Sequence, residues 1–389
     1  VQKKYLGLLF VIMFLMMLGF GIIIPILPYF AENMGASSFE IGLLFAVYNI
    51  MQFIFAPIWG KLSDRIGRKP LILVGLLGFA ITFILFGLST SYAEMLIYRL
   101  FGGIVSAAAI PTVTAMVADL FPPEERAKGM GVIGAGIGLS FVFGPAIGGL
   151  LGEVNPSYPF FASGIVALLT FFFVTISLPE SLPPEKRAHI KREKRDNPLT
   201  ALFGSMALLY NIVFIVSLTF SGLETTFALY INDLYGLTSK ELGYMFLVMG
   251  VIAAIVQGGM IGRMVKKWGE AAVLSVGLLL YAIGFISILL ADSFWGFALN
   301  LSLFGAGQGM IRASATSLIT QRTTQGQGVT SGTMSSMDSL GRILGPLLGG
   351  ALYAWHASGP FLTGFVLILI MLILFRSRHL YTVKQTETQ

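Results

Sequence analysis

The chain has 389 residues, of which 56% are hydrophobic and only 11% charged, where a soluble domain carries about 25% charged residues. That balance excludes an ordinary water-soluble enzyme or binding module, and the absence of cysteine excludes disulfides, thiolate metal sites and thiol catalysis. The net charge of +6 is scattered in short clusters between apolar runs, which points to membrane topology and away from nucleic acid.

Apolar runs of about twenty residues, each able to cross a bilayer as a helix, recur from end to end. Helices satisfy their own backbone polar groups in lipid, and the ten-residue alternating segments of a β-barrel are not visible. Twelve spans are predicted, centred near Phe14, Met51, Leu77, Ile104, Leu139, Leu168, Phe214, Val251, Leu280, Gly305, Leu340 and Leu367. The first run, Leu6 to Ile24, lacks a small-residue cleavage site and continues into Pro25 and Pro28, so it reads as a retained span and not a signal peptide.

Span 2 carries Tyr48, Asn49 and Gln52 at helical spacing, a candidate cavity-facing stripe. Behind it comes GKLSDRIGRKP, Gly60 to Pro70, with four cations and one acid, Asp64, in a chain poor in charge. Arg99 lies inside span 4, and Asp119 lies at its far end. In span 5, Ser140, Gly144 and Gly148 recur every four residues, with Pro145 and Gly149 beside them. That stripe permits close helix contact, and the proline bends the helix. The segment LPESLPPEKRAHIKREKRDNP, Leu178 to Pro198, is the one long polar linker. It divides the chain into 1–178, a linker at 179–198, and 199–389.

Glu224, in FSGLETTFALY of span 7, is an acid inside an apolar run, costly and by default a functional mark. Burial disfavours the charged form of a carboxyl, so a proton could reside there near neutral pH; the plainer reading is a helix-end Glu bonded to a neighbour. Gln257 in span 8 and Asn300, Gln308 and Arg312 in span 10 are further candidate substrate contacts. In span 11, Asp338 and Arg342 share a helix face, either as a static pair or as one that opens during a cycle. Gly341, Gly345 and Gly349, with Pro346, repeat the stripe of span 5.

GPAIGG at Gly144–Gly149 returns as GPLLGG at Gly345–Gly350, at nearly the offset that separates Gly60 from Gly262. Such a duplication implies two six-helix bundles related by an axis along the membrane normal. Basic residues follow alternate spans, the largest group being Lys186, Arg187, Lys191, Arg192, Lys194 and Arg195. The opposite loops hold Lys240 among Glu32, Glu40, Glu94, Glu153, Asp233, Glu241 and Asp292. The positive-inside rule then places both termini in the cytoplasm.

At this point the sequence resembles the major facilitator superfamily, specifically its twelve-span drug:proton antiporters. The resemblance covers nearly the whole chain. It rests on Gly60-x-x-x-Asp64-Arg65-x-Gly67-Arg68-Lys69 after span 2, and on Arg99 with Gly102 and Gly103 in span 4. It rests also on Gly144-Pro145-x-x-Gly148-Gly149 in span 5, and on Gly19 with Pro25 and Pro28 in span 1. Two departures stand out. Ser140 occupies a place that is usually glycine. Gly309, ahead of Met310, Ile311 and Arg312, stands where close relatives have an acid.

The resemblance implies an all-α major facilitator fold of twelve transmembrane helices in two pseudo-symmetric bundles. It implies that the charges of the Gly60–Lys69 stretch latch a conformational gate, with Arg65 or Arg68 reaching Asp119; the alternative is a basic loop that only fixes topology. It assigns Arg99 to proton coupling, with a structural tie between helix ends as the other reading. The expected function is proton-coupled export of small amphiphilic compounds, cations foremost, by alternating access around a midplane cavity. The alternative is a transporter for one metabolite, sugar or lipid. No cofactor is expected beyond the proton as coupling ion. The expected partners are a small-molecule substrate and the lipid bilayer of a bacterial cytoplasmic membrane, with the protein a monomer. A GxxxxGK[ST] phosphate loop and an HExxH motif are both missing, so neither ATP-driven transport nor intramembrane metal catalysis is expected.

Overall fold

Backbone groups that lipid cannot satisfy favour a helix in every span, and prolines mark the breaks of the first and fourth spans. The computed structural model describes residues 2–182, 206–322 and 327–387. Most of the linker, with Lys186, Arg187, Lys191, Arg192, Lys194 and Arg195, lies outside the described residues. Span 1 is α1 (Gln2–Ile23) followed by α2 (Leu27–Asn33). Pro25 supplies no N–H to continue α1, and the chain tightens through Ile26 N–H donating to the Ile23 carbonyl at 3.1 Å. Spans 2 and 3 are α3 (Ser38–Ile66) and α4 (Arg68–Gly87). Span 4 is α5 (Tyr92–Ser106) and α6 (Ala109–Leu120), parted just ahead of Pro111. Spans 5 and 6 are α7 (Pro123–Val154) and α8 (Tyr158–Ser177).

The second half runs through α9 (Ala207–Tyr235), α10 (Ser239–Ile255), a π turn at Val256–Met260, and α11 (Ile261–Trp268). It continues with α12 (Glu270–Ile288), α13 (Phe294–Arg322), α14 (Gln327–Trp355) and α15 (Gly359–Glu387). Helices α7 and α14 stay helical on both sides of Pro145 and Pro346. Among the described residues, ten helical stretches are long and apolar enough to cross a membrane. The remaining two of the twelve expected spans, α13 and α14, have 29 residues each but are more polar, because they carry Asn300, Gln308, Arg312, Asp338 and Arg342.

Local signals start several helices. Ser37 and Glu40 form a reciprocal capping box at the start of α3, and Ser91 accepts from the Glu94 N–H at the start of α5.

The chain divides into two compact units, residues Val1–Glu193 with Ile231–Leu247, and Lys194–Tyr230 with Val248–Gln389. The end of α9 and the start of α10 thus group with the first unit, whereas the sequence places the division in the linker. In the first unit a core of Leu9, Met13, Leu76, Val113, Met116, Ile133 and Val174 draws on α1, α4, α6, α7 and α8. Phe30, Phe86 and Phe160 cluster there, with Phe160 4.8 Å from each of the other two rings. In the second unit Tyr281, Phe285 and Phe304 pack edge to face between α12 and α13. Tyr230 meets Phe361 at 4.8 Å. Large side chains such as Ile176, Leu169, Phe101 and Trp355 stand exposed, an arrangement suited to lipid and not to water. This is a multi-pass membrane protein.

Candidate functional site

The Gly60–Pro70 stretch proves to be two helix ends and a one-residue joint, not a loop. Helix α3 runs on to Ile66 and α4 begins at Arg68, with Gly67 between them at φ 117°, a backbone region that favours glycine. This joint turns the Arg68 side chain inward, where it is 6% exposed. Its Nη1 donates to Asp64 Oδ1 at 2.6 Å and to Ser63 Oγ at 2.6 Å, and its Nε donates to Asp119 Oδ2 at 2.8 Å. One guanidinium therefore joins α3, α4 and the end of α6. Of the two arginines expected to reach Asp119, Arg68 does so and Arg65 is exposed. Lys69 Nζ donates to the Thr175 carbonyl at 2.7 Å. A Cβ at Gly60 would meet open space, so nothing packed against that position requires glycine.

Sequence reasoning missed Glu180. Its carboxylate accepts from the backbone N–H of Arg68 at 2.8 Å and of Lys69 at 3.1 Å. Gly67 has no side chain to cap α4, so Glu180 provides the negative cap from more than a hundred residues away. Ser181 Oγ adds a bond to Asp119 Oδ2 at 3.1 Å. The available signal was an acid held just after α8 by Pro179, but its partner could not be read locally.

Arg99 is buried, with its guanidinium carbon 4.5 Å from the Tyr48 ring and 5.6 and 5.9 Å from Phe45 and Phe86. Its Nε donates to the Leu44 carbonyl at 3.3 Å, and it takes part in none of the ion pairs among the described residues. Stacking of a cation on ring faces substitutes for a carboxylate. This geometry matches the tie between helices. Tyr48 is accordingly buried and not open to a cavity. Asn49 bonds back to the Phe45 carbonyl within α3 and Gln52 donates to Ser106 Oγ on α5 at 3.2 Å; both are half-buried.

The glycine stripes form two equivalent seams. A Cβ at Gly148 would lie 1.8 Å from the Ile22 carbonyl oxygen, and one at Gly345 2.2 Å from the Leu218 carbonyl oxygen. A Cβ at Gly144 would lie 2.9 Å from Gly21, one at Gly341 2.7 Å from Leu218, and one at Gly349 2.9 Å from Gly222. Ser140 fits at the end of the first seam because its hydroxyl bonds back to the Ile137 carbonyl at 2.6 Å. Gly149 lies against Ser239 and Gly243. Pro145 and Pro346 lie within these seams, on α7 and α14.

In the second unit the charges gather around α9 and α14. Arg342 Nε donates to Asp338 Oδ2 at 3.1 Å, and Ser217 Oγ donates to the other carboxylate oxygen, Oδ1. The pair keeps about a third of its side-chain surface, at 34% and 30%. Glu224, half-buried, feels the charges of both Arg342 and Asp338 and takes part in none of the ion pairs among the described residues. It is thus a carboxyl near a pair that it does not join. Ser217 was not read from the sequence; a serine in an apolar span carries no distinguishing local pattern.

Of the remaining candidates, Gln257 and Arg312 line one recess of about 400 Å³ with Gly309 and Thr316. Gln308 is half-buried and stands apart from it. Asn300 is engaged across α12 and α13, accepting from Ser287 Oγ at 2.6 Å and donating to its carbonyl at 3.1 Å, which makes it a packing residue.

Comparison with known proteins agrees with this architecture. The sequence profile of the Major Facilitator Superfamily matches residues 9–270 and, again, 212–388. The chain is 33% identical over 383 residues to Multidrug resistance protein 2 of Bacillus subtilis strain 168, over 95% of this chain and 94% of that one. It is 28% identical over 378 residues to Quinolone resistance protein NorA of Staphylococcus aureus strain MSSA476, over 95% and 97% of the two chains. Among solved structures, the human organic anion transporter MFSD10 superposes with a TM-score of 0.71 at 28% identity, over 96% of this chain and 99% of that one. A mutant of the nucleoside transporter NupG superposes with a TM-score of 0.79 over 96% and 99%; at 14% identity this speaks to the fold alone.

Proposed function

The chain belongs to the major facilitator superfamily, a family of membrane transporters, and from that premise we propose that it exports small amphiphilic compounds from a bacterial cytoplasm in exchange for protons. The reading has it in the plasma membrane with both termini cytoplasmic, as the distribution of basic residues favours. Its curated relatives from Bacillus subtilis and Staphylococcus aureus, a multidrug and a quinolone resistance protein, support export of drug-like cargo.

One observation carries the coupling: Glu224 lies inside α9 beside the Asp338–Arg342 pair yet joins neither as an ion-pair partner. A carboxyl so placed can be neutralised by a proton or by a cationic cargo, and not by both at once. Competition for that single group is the least chemistry antiport requires. Ser217 and Arg342 hold Asp338 as a fixed anion, which leaves Glu224 as the group whose charge changes. The Arg68 cluster joins α3, α4, α6 and the segment after α8 within the first unit, and in this reading its rearrangement accompanies alternating access. A bias of about 1–3 kcal/mol there is enough to shift the populations of two states.

The test is transport of a cationic amphiphilic dye in proteoliposomes under imposed pH gradients. Inverting the gradient is expected to reverse the direction of dye movement. Dye flux indifferent to the gradient would remove the proton from the reading, and refusal of all but one cargo would replace a broad exporter with a specific one.

A further inference from the structure

The end of span 8 repeats the joint of the first unit with its charges exchanged. Gly269, at φ 79°, parts α11 from α12 as Gly67 parts α3 from α4. Counted from Gly262 as the first joint is from Gly60, Lys266 stands at the place of Asp64, Glu270 at that of Arg68 and Gln321 at that of Asp119. The tie to the end of span 10 survives as an acid on an amide: Glu270 Oε1 accepts from Gln321 Nε2 at 2.9 Å and from Ser317 Oγ at 3.2 Å. The acid of this joint is therefore engaged with α13, and the cations of α11 are left outside.

Arg263, Lys266 and Lys267 follow the spacing of one helix face, and all three are exposed. They take part in none of the ion pairs among the described residues. In the first unit, by contrast, Arg68 is held by two carboxylates and Lys69 by a carbonyl. The other face of α11 is apolar: Ile261, Met264 and Val265 pack with Val273 of α12 and Met310 of α13. That packing fixes the short helix with its basic side out. Beside the cations stand Met260, 46% exposed, and Trp268, 52% exposed, with Lys267 Nζ 5.7 Å from the centre of the Trp268 ring. Tryptophan and basic residues together at the end of a span belong at the level of lipid headgroups. Topology alone requires net positive charge there, not the withdrawal of the joint's acid from the face that carries it.

We propose that the basic face of α11 binds the headgroup of an anionic phospholipid, which stands for the second unit where Asp64 and Asp119 stand in the first. Arg263 and Lys267 are about 6 Å apart along the helix axis, so a guanidinium fork and two ammonium groups can converge on one phosphodiester. A lipid fits this face better than a soluble polyanion, because Trp268 and Met260 offer its acyl chains apolar contact beside the cations. The proposal is independent of the exporter reading: it concerns what the bilayer supplies to the protein and not what the protein carries.

The experiment uses full-length protein in which Trp59, Trp295 and Trp355 are replaced by Phe, leaving Trp268 as the reporter. Reconstituted in phosphatidylcholine, it receives phosphatidylglycerol or phosphatidylcholine brominated in the acyl chains near the headgroup, and quenching gives the relative affinity of the two lipids. Phosphatidylglycerol is expected to be favoured about fivefold or more, since one basic residue near an anionic surface contributes about that factor. Combining Arg263→Gln, Lys266→Gln and Lys267→Gln is expected to bring the ratio near one. Trp355 kept as the reporter, at the far end of α14, should read a ratio near one throughout. A ratio near one at Trp268 overturns the proposal, as does an unchanged ratio in a triple variant that elutes as its parent does. Equal preference at Trp268 and Trp355 also overturns it, by showing a general affinity for anionic lipid. Displacement of the lipid by millimolar inorganic phosphate would replace the lipid site with one for soluble anions. Native mass spectrometry repeats the comparison in protein that keeps all its tryptophans. Phosphatidylglycerol should be retained over phosphatidylcholine and largely lost from the triple variant; equal retention by the two proteins overturns the proposal.

Discussion

The two units share one packing plan and use charge in opposite ways. Each has a seam of small residues, Gly144 and Gly148 on Gly21 and Ile22, and Gly345 and Gly349 on Leu218 and Gly222. In the first unit the buried cations are fully engaged: Arg68 by Asp64, Asp119 and Ser63, and Arg99 by three rings and a carbonyl. In the second, Glu224 and Arg312 join none of the described ion pairs, and the Asp338–Arg342 pair stays about a third exposed. A charge with every partner in place holds helices together; a charge beside an incomplete set can take a proton or a ligand. Duplication explains the common scaffold, and the distribution of charge partners sets the two units apart.

That contrast can be broken most directly at Glu224. Glu224→Gln is expected to reduce proton-driven exchange in proteoliposomes to background while the detergent-solubilised protein unfolds as the wild type does. Exchange that survives the substitution would move the proton site to Asp338.

In the first unit, Arg68→Ala is expected to cost stability instead, about 3 kcal/mol, because it leaves two partly buried carboxylates uncompensated. Arg65→Ala, one helical turn away and exposed, should stay within about 0.5 kcal/mol. Equal losses for the two in denaturant titrations would dissolve the distinction between latch and surface charge.

The seams should behave alike. Gly148→Ala and Gly345→Ala each force a Cβ against a backbone oxygen, with an expected cost of about 2 kcal/mol. A large effect in one unit and none in the other, read by thermal unfolding, would show that the seams are not equivalent. The smallest effect belongs to Glu180→Gln. The amide keeps one acceptor for the α4 N–H groups but loses the charge, so about 1 kcal/mol is expected. The loss should shrink in high salt, and a salt-independent loss would point to packing in place of capping.

What sequence reasoning could reach was whatever lies along one helix or repeats along the chain. Spans, both small-residue stripes and the Asp338–Arg342 pair are periodic or local, so spacing alone reveals them. The Arg68–Asp119 contact was reachable only as one of two options, because Arg65 and Arg68 look alike until Gly67 turns the backbone. Other features joined residues far apart: Glu180 on the α4 N-terminus, Ser217 on Asp338, and the rings around Arg99. Such partners carry no local mark, and Tyr48 and Asn300 were read as cavity residues for that reason.

Composition and the length of the apolar runs determined that this chain lives in a bilayer as helices, since lipid satisfies no backbone group and a helix satisfies its own, and the repeat of GPAIGG as GPLLGG added that they come as two bundles. Which charges are consumed in holding helices and which stay available was decided by the tertiary structure alone. A side chain's protonation and binding depend on the groups that surround it in space, and folding brings those together from positions 51 to 121 residues apart.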